Sequence, residues 1–271
     1  MHSNKSLKKE SFRHIVLFGD SLSDNGFEDG HGFKRSSNGR VWSEYLSEML
    51  GTQSTSIRAW SGATSGIGNY YEEAKDWSGL LWQIENFQAM AGIGETLAII
   101  QIGTNDLHDP DLNIKPQTVI ANIVQSLTNL LQKGIKQAIV WNLNTSVTSP
   151  AYTDESYEMY DYYKEKMSTA YERFVEFNQL IPQAIEGFNS QQSHMNVVLF
   201  DVNRVIGRIS TRFKNLTTPW LDIRYYPEKS GWFWYDHWHY MTETHHYLAE
   251  SVYRFIQNAC QSGVAKSESI P

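Results

Sequence analysis

His14–Ile–Val–Leu–Phe–Gly–Asp–Ser–Leu–Ser–Asp–Asn–Gly26 is the stretch whose reading decides the fold. Ile15 to Phe18 form a short apolar run suited to a buried strand. The run stops at Gly19, Asp20 and Ser21. A buried parallel strand that ends in glycine and small polar residues presents them at the carboxyl edge of a sheet, where open α/β sheets hold their ligands. A serine placed there has its hydroxyl in a crevice and its N–H near a helix start, where negative charge is favoured. That setting suits a nucleophile whose attack creates an oxyanion. It equally suits an ordinary turn or helix-capping serine.

The pattern recurs along the chain. A short strand is expected near Ser56–Trp60, ending in the glycine-rich loop Ser61–Asn69, which lacks the Gly–Lys–Ser/Thr ending of a phosphate loop. Thr96–Ile102 is a buried run that ends at Gly103–Thr–Asn105–Asp106. Gln137–Trp141 and Val197–Phe200 are further strands, the latter ending at Asp201. Between them lie helical patterns: Val41–Leu50, stopped by Gly51; Leu80–Met90; Gln117–Gln132; and about 155–188, with a kink or break expected at Pro182. A last helix runs from Thr242 to about Cys260. Strands alternating with helices predict a parallel sheet covered on both faces, a three-layer α/β/α sandwich. The expected organisation is one domain over 13–262 between a polar disordered tail (1–12) and a frayed tail (263–271). Residues 202–234, aromatic and basic (Arg204, Arg208, Arg212, Lys214), read as the least regular part. They are a lid or substrate loop, or a plain peripheral insertion.

Bulk composition narrows the function. The 271 residues are enough for a substantial core, and 41% apolar with 20% charged residues is ordinary for a globular protein. A net charge of −7 argues against nucleic acid as a partner. The single Cys260 forms no intrachain disulfide. No apolar run approaches the ~20 residues of a membrane span, and Met1–Arg13 is polar and Lys-rich with no apolar signal core behind it. The compartment is left open between the cytoplasm, a mature form whose signal was removed, and export by another route.

Three strand ends supply what acyl transfer uses: the Ser21 hydroxyl, the unobstructed Gly62 N–H and the Asn105 side-chain amide. With the Ser21 N–H they are candidates for an oxyanion hole. A base is still needed. Among nine histidines, the candidates sit in Asp236–His237–Trp238–His239. The three-residue offset lets Asp236 accept from His239 Nδ1 while Nε2 faces a serine, which favours His239 over its rival His237. A zinc reading of His237, His239, His245 and His246 has neither cysteine nor a His–Glu–x–x–His helix behind it. Asp24 is either an orienting group for the serine loop or a simple turn carboxylate, and Asp106 is given no catalytic role. The aromatic cluster Trp220, Tyr225, Tyr226, Trp232, Phe233, Trp234, Tyr235, Trp238 and Tyr240 cannot all point inward, so some are expected to line an opening above Ser21.

Gly19–Asp–Ser21–Leu22, Gly62 within Trp–Ser–Gly–Ala–Thr, Gly103–Thr–Asn105–Asp106 and Asp236–x–x–His239 resemble, in order, the four blocks of the GDSL, or SGNH, esterase/lipase family. The resemblance spans residues 14 to about 250. The longer matches, Gly–Asp–Ser–Leu–Ser–Asp–Asn–Gly and Ser–Asn–Gly–Arg–Val–Trp–Ser–Glu–Tyr–Leu, resemble the branch that holds bacterial lysophospholipase A, thermolabile haemolysin and glycerophospholipid:cholesterol acyltransferase. The resemblance implies a flavodoxin-like sandwich, a Ser21–His239–Asp236 triad and an oxyanion hole of Ser21, Gly62 and Asn105. It further implies an acyl-serine path to hydrolysis or transfer, with no metal and no cofactor. The partners so implied are a lipid or other acyl-ester substrate and transient contact with a membrane surface. Two departures stand out: Tyr240–Met241 follow His239 where the family often has Pro–Thr, and the paired-cysteine loop of secreted relatives is missing. The rival functions are a short-chain or carbohydrate acetyl esterase and a catalytically inactive lipid-binding module.

Overall fold

The computed structural model describes residues 7, 12–26, 32–88, 92–221 and 230–264, the last four without side chains. Five parallel strands form its sheet: β1 (His14–Gly19), β2 (Ser54–Ile57), β3 (Thr96–Gln101), β4 (Gln137–Trp141) and β5 (Asn196–Phe200), in the order β2-β1-β3-β4-β5. Leu17 pairs with Ile57 on one side and Ile99 on the other. This order winds outward both ways from β1 and β3, so the crevice between their carboxyl ends is the topological switch point. Ser21 follows β1 and Asn105 follows β3.

The helices are α1 (Trp42–Leu50), α2 (Leu80–Glu85), α3 (Thr104–Leu107), α4 (Pro116–Gln132), α5 (Tyr160–Gln191), α6 (Val202–Ser210) and α7 (Thr242–Val264). Alternate strand residues sort them into two layers. Val16, Phe18, Ala98, Ile100 and Val140 pack with α2, α4 and α5. Ile15, Leu17, Ile99, Ile139 and Trp141 pack with α1, α6 and α7. Burial on both faces is why the strands read as unbroken apolar runs. The three-layer α/β/α sandwich expected from the sequence is the architecture observed.

Several boundaries differ from expectation. β2 lies two to three residues earlier than Ser56–Trp60, because its pairing with β1 begins at Ser54 opposite His14. α2 stops at Glu85 rather than reaching Met90. α5 starts at Tyr160 and runs as one helix through Pro182, where a kink or break was expected, so the break is absent. Its buried Phe177, Ile181, Ile185 and Phe188 hold it against the sheet on both sides of the proline. The segment 202–234 is not irregular throughout: α6 occupies its first nine residues, with the Asp201 carboxylate accepting the Arg204 N–H as N-cap. Residues 222–229, including Tyr225 and Tyr226, lie outside the described residues, as do most of 1–12 and the tail beyond 264. Within the first of these tails, Leu7 is fully buried against the α1–α7 layer. No helix among the described residues is long and apolar enough to cross a membrane.

Candidate active site

The serine loop is fixed from below. Gly19 has no room for a side chain, since a Cβ would lie 2.4 Å from the Gln101 carbonyl oxygen. Gln83 of α2 accepts the Gly19 N–H (3.0 Å) and donates to its carbonyl (2.8 Å), tying the end of β1 to the helix layer. The Asp20 carbonyl accepts the N–H groups of Ser23 and Asp24, a tight turn that carries Ser21 over the sheet edge. Neither the Ser21 nor the Gly62 N–H has a partner among the described residues.

The loop 234–241 brings a histidine to that serine. Tyr235 N–H donates to the His239 carbonyl and Trp234 bridges to Tyr240, closing the loop just before α7. Asp236 Oδ1 accepts the N–H groups of Trp238 and His239, both at 2.8 Å. His239 Nδ1 lies 2.8 Å from both carboxylate oxygens, and its Nε2 lies 2.8 Å from Ser21 Oγ. A carboxylate only accepts, so Nδ1 carries the proton and Nε2 accepts the Ser21 hydroxyl. Burial pushes the Asp236 carboxyl up, but the neighbouring His239, its ring N–H and the two backbone donors outweigh this and hold it at about 2.

His237, the rival base, lies elsewhere. Its Nε2 is 3.4 Å from Asp154, its ring stacks on Tyr157 and its carbonyl accepts from the Ser149 hydroxyl and the Ala151 N–H. His245 is buried beside Tyr240, and His246 packs edge-on against Tyr45.

Gly62 adopts φ +79°, and a Cβ there would meet Asn69 Oδ1 at 2.3 Å, so only glycine fits. Asn105 Nδ2 donates to the Ala63 carbonyl at 3.0 Å, which ties Asn105 to the residue after Gly62. Two buried carboxylates fasten these loops. Asp24 accepts from Gly26, Phe33 and Ser61, and Asp106 accepts from the Ser65 N–H and hydroxyl. Asp24 shows features of both readings: its bond from Gly26 is that of a turn carboxylate, and its bonds from Phe33 and Ser61 tie the loop after Ser21 to its neighbours. Gln83, Gln101 and Asp106 have site-building parts that sequence reasoning missed. Their partners lie 41 to 81 residues away, so no local pattern pointed to them.

The residues above Ser21 form an open cleft walled by Tyr70, Tyr71, His108, Tyr163 and Trp238. Burial pulls the His108 ring down to about 4, so it is neutral near pH 7. Past Leu22, Thr104 and Trp238, which border both spaces, lies a second, mostly apolar pocket of about 70 Å³. Leu143, Val147, Phe174, Trp234 and Tyr240 line it. Of the aromatic cluster, Trp238 borders both spaces, while Trp234 and Tyr240 line the second one and belong, with Phe233, to the buried core.

A parallel-sheet sandwich with a serine, an imidazole and a carboxylate in hydrogen-bonded series at its switch point has the parts of a serine ester hydrolase. The chain belongs to the GDSL-like lipase/acylhydrolase family, whose model matches residues 15–252. Among solved structures it is similar to an acetyl xylan esterase, AlAXEase, at 13% identity and TM-score 0.54, over 90% of this chain and 99% of that one. It is also similar to a carbohydrate acetylesterase family member from Sinorhizobium meliloti at 12% identity and TM-score 0.56, over 92% of this chain and 100% of that one. At such identities these likenesses speak for the fold. The comparison with curated proteins yields no match.

Proposed function

We propose that the protein hydrolyses acyl esters of lipids, lysophospholipids foremost, through an acyl-serine on Ser21. The observation that carries this reading is the apolar pocket that shares Leu22, Thr104 and Trp238 with the cleft over Ser21. A carbonyl held over Ser21 has an apolar recess on one side for its acyl chain and the open aromatic cleft on the other for its alcohol part.

Ser21 Oγ attacks the ester carbonyl while His239 Nε2 takes its proton. Asp236 keeps the ring in the right tautomer and stabilises the imidazolium. The oxyanion is met by the N–H groups of Ser21 and Gly62 and the Asn105 amide. His239 then protonates the leaving alcohol. Water, or an alcohol acceptor in a transfer reaction, attacks the acyl-serine, with His239 again acting as base. No step needs a metal or an organic cofactor.

A second reading, an acetyl or short-chain esterase of carbohydrates, is favoured by the pocket's size. At about 70 Å³ it is far smaller than the roughly 300–1,000 Å³ of pockets that take drug-sized ligands, which suits a short acyl group. Rates of Ser21→Ala and the parent protein on lysophosphatidylcholine, on p-nitrophenyl esters from acetyl to palmitoyl and on acetylated xylan test both. The lipid reading expects fatty acid release that Ser21→Ala abolishes. Preference for acetyl groups moves the assignment to the second reading. A parent protein that reacts with no ester and whose Ser21 resists a fluorophosphonate would be a binding module.

A further inference from the structure

The side of the molecule formed by α6 and α7 carries chemistry that ester hydrolysis does not use. Arg204 and Arg208, four apart on α6, share one face about 6 Å apart along the helix, and Arg212 follows just past its end on the same groove. All three are exposed. Arg254, also exposed, faces them from α7 across a groove of about 620 Å³. The groove is floored by apolar side chains, among them Val205, Ile209 and Phe255.

Little in the fold neutralises this stripe. Of the two carboxylates lining the groove, Asp201 is engaged by the Arg204 N–H and the Asn142 amide, and Glu250 pairs with Arg254 at 3.2 Å. Among the described residues, Arg204, Arg208 and Arg212 form no ion pair, and Arg212 lies over the Tyr247 ring at 4.6 Å. In a chain of net charge −7, this is a local reversal of sign.

We propose that the α6–α7 groove docks the protein on an anionic phospholipid surface. Guanidinium groups bind phosphate oxygens in pairs, and the apolar floor accepts what lies beneath a headgroup. A net acidic surface elsewhere is repelled by such a membrane, so contact is confined to this stripe. α6 begins at the carboxyl end of β5, the sheet edge that carries Ser21. The proposal rests on the lipid reading of the site.

The test is cosedimentation of the full chain with vesicles of phosphatidylcholine alone and of phosphatidylcholine mixed equally with phosphatidylglycerol. Each basic residue at an anionic surface is worth about fivefold in affinity, so Arg204→Gln/Arg208→Gln loses about thirtyfold on the mixed vesicles. Arg204→Lys/Arg208→Lys keeps most of the binding. Turnover of soluble p-nitrophenyl butyrate by both variants stays at the parent level, which also reports that they fold. If the Gln pair does not fold, the parent protein decides alone: it must prefer the mixed vesicles, and about 1 M salt must release it. Equal binding to both vesicles, undiminished binding by a folded Gln pair, release by millimolar inorganic phosphate, or tighter binding to duplex DNA would each overturn the proposal. If docking fails while Ser21→Ala still abolishes lysophosphatidylcholine turnover, only the docking falls. Docking without lipid turnover sinks the lipid reading instead.

Discussion

Two aspartates, one fully buried and one half-buried, stand near one imidazole and end in opposite states. Asp236 accepts two backbone N–H groups and the His239 ring, and it is held at about 2. Asp20, next to the nucleophile, accepts from the Leu22 N–H and the Gln101 amide through one oxygen only, while Oδ2 has no hydrogen-bond partner. Burial dominates there and pushes it up to about 6, although His239 pulls the other way. The difference lies in burial and in contact with the ring: Asp20 is fully buried and only near His239, whereas Asp236 is half-buried and bonds the imidazole directly, with two backbone donors added. Burial alone neutralises a carboxyl, and an adjacent positive partner with hydrogen-bond donors keeps it charged. One fold thereby sets a permanent anion behind the ring and a titrating group beside the serine.

The harshest way to break this contrast is to remove the charge from the strong side. Asp236→Asn keeps the shape but offers His239 Nδ1 an amide that can present an N–H, which disfavours the working tautomer. On the proposed mechanism, kcat/KM for p-nitrophenyl esters falls by about 10³–10⁴. A loss below tenfold would mean that the carboxylate does not serve the ring.

The next test uses the weak side and pH. Asp20 is raised, so its share of stability is full below pH 3.8 and is lost as pH rises through about 6. Asp106, likewise raised to about 6 by burial, adds in the same direction. Asp236 is lowered, so its share is present above pH 3.8 and lost as pH falls toward 2. Asp20→Asn keeps an acceptor for Leu22 and Gln101 and removes the buried charge. Urea unfolding should find it more stable than the parent by on the order of 2–3 kcal/mol at pH 8 and unchanged at pH 4. Its kcat/KM should fall less than tenfold. Equal effects at both pH values would show that Asp20 does not titrate.

Much of the site was legible because its parts are local. A buried parallel strand announces itself as an apolar run, and a run that stops at Gly19–Asp20–Ser21 or Gly103–Thr104–Asn105 announces a sheet edge. The Asp236–His239 offset is a turn whose carboxylate reaches forward to N–H groups two and three residues on, so spacing alone carried it. What stayed hidden was tertiary. Ser65 meets Asp106 across 41 residues and Gln101 meets Asp20 across 81, and nothing in either neighbourhood marks the partner. Pro182 misled for the same reason: packing of Phe177, Ile181 and Ile185 on the sheet outweighs a local breaker. Leu7 in a polar tail, and α6 in a segment that looked irregular, are again placed by what they bury against.

The smallest expected effect sharpens the contrast most cheaply, at His237. It sits between Asp236 and the proposed base, and it has a carboxylate of its own in Asp154 at 3.4 Å. Two His–Asp pairs whose histidines are two positions apart could exchange roles if the loop were loose. The loop is not loose: Asp236 is held through backbone N–H groups, and the His237 carbonyl is engaged by Ser149 and Ala151, so neither anchor depends on the His237 ring. His237→Gln removes the ring from its stack on Tyr157 and weakens the tie to Asp154, at a cost of about 1 kcal/mol in stability. It leaves every donor to Asp236 in place, so kcat should stay within about threefold of the parent, whereas His239→Ala loses about as much as Ser21→Ala. The reverse ranking, with His237→Gln inactive and folded and His239→Ala active, would transfer the base to the other pair and unmake the contrast between the two aspartates.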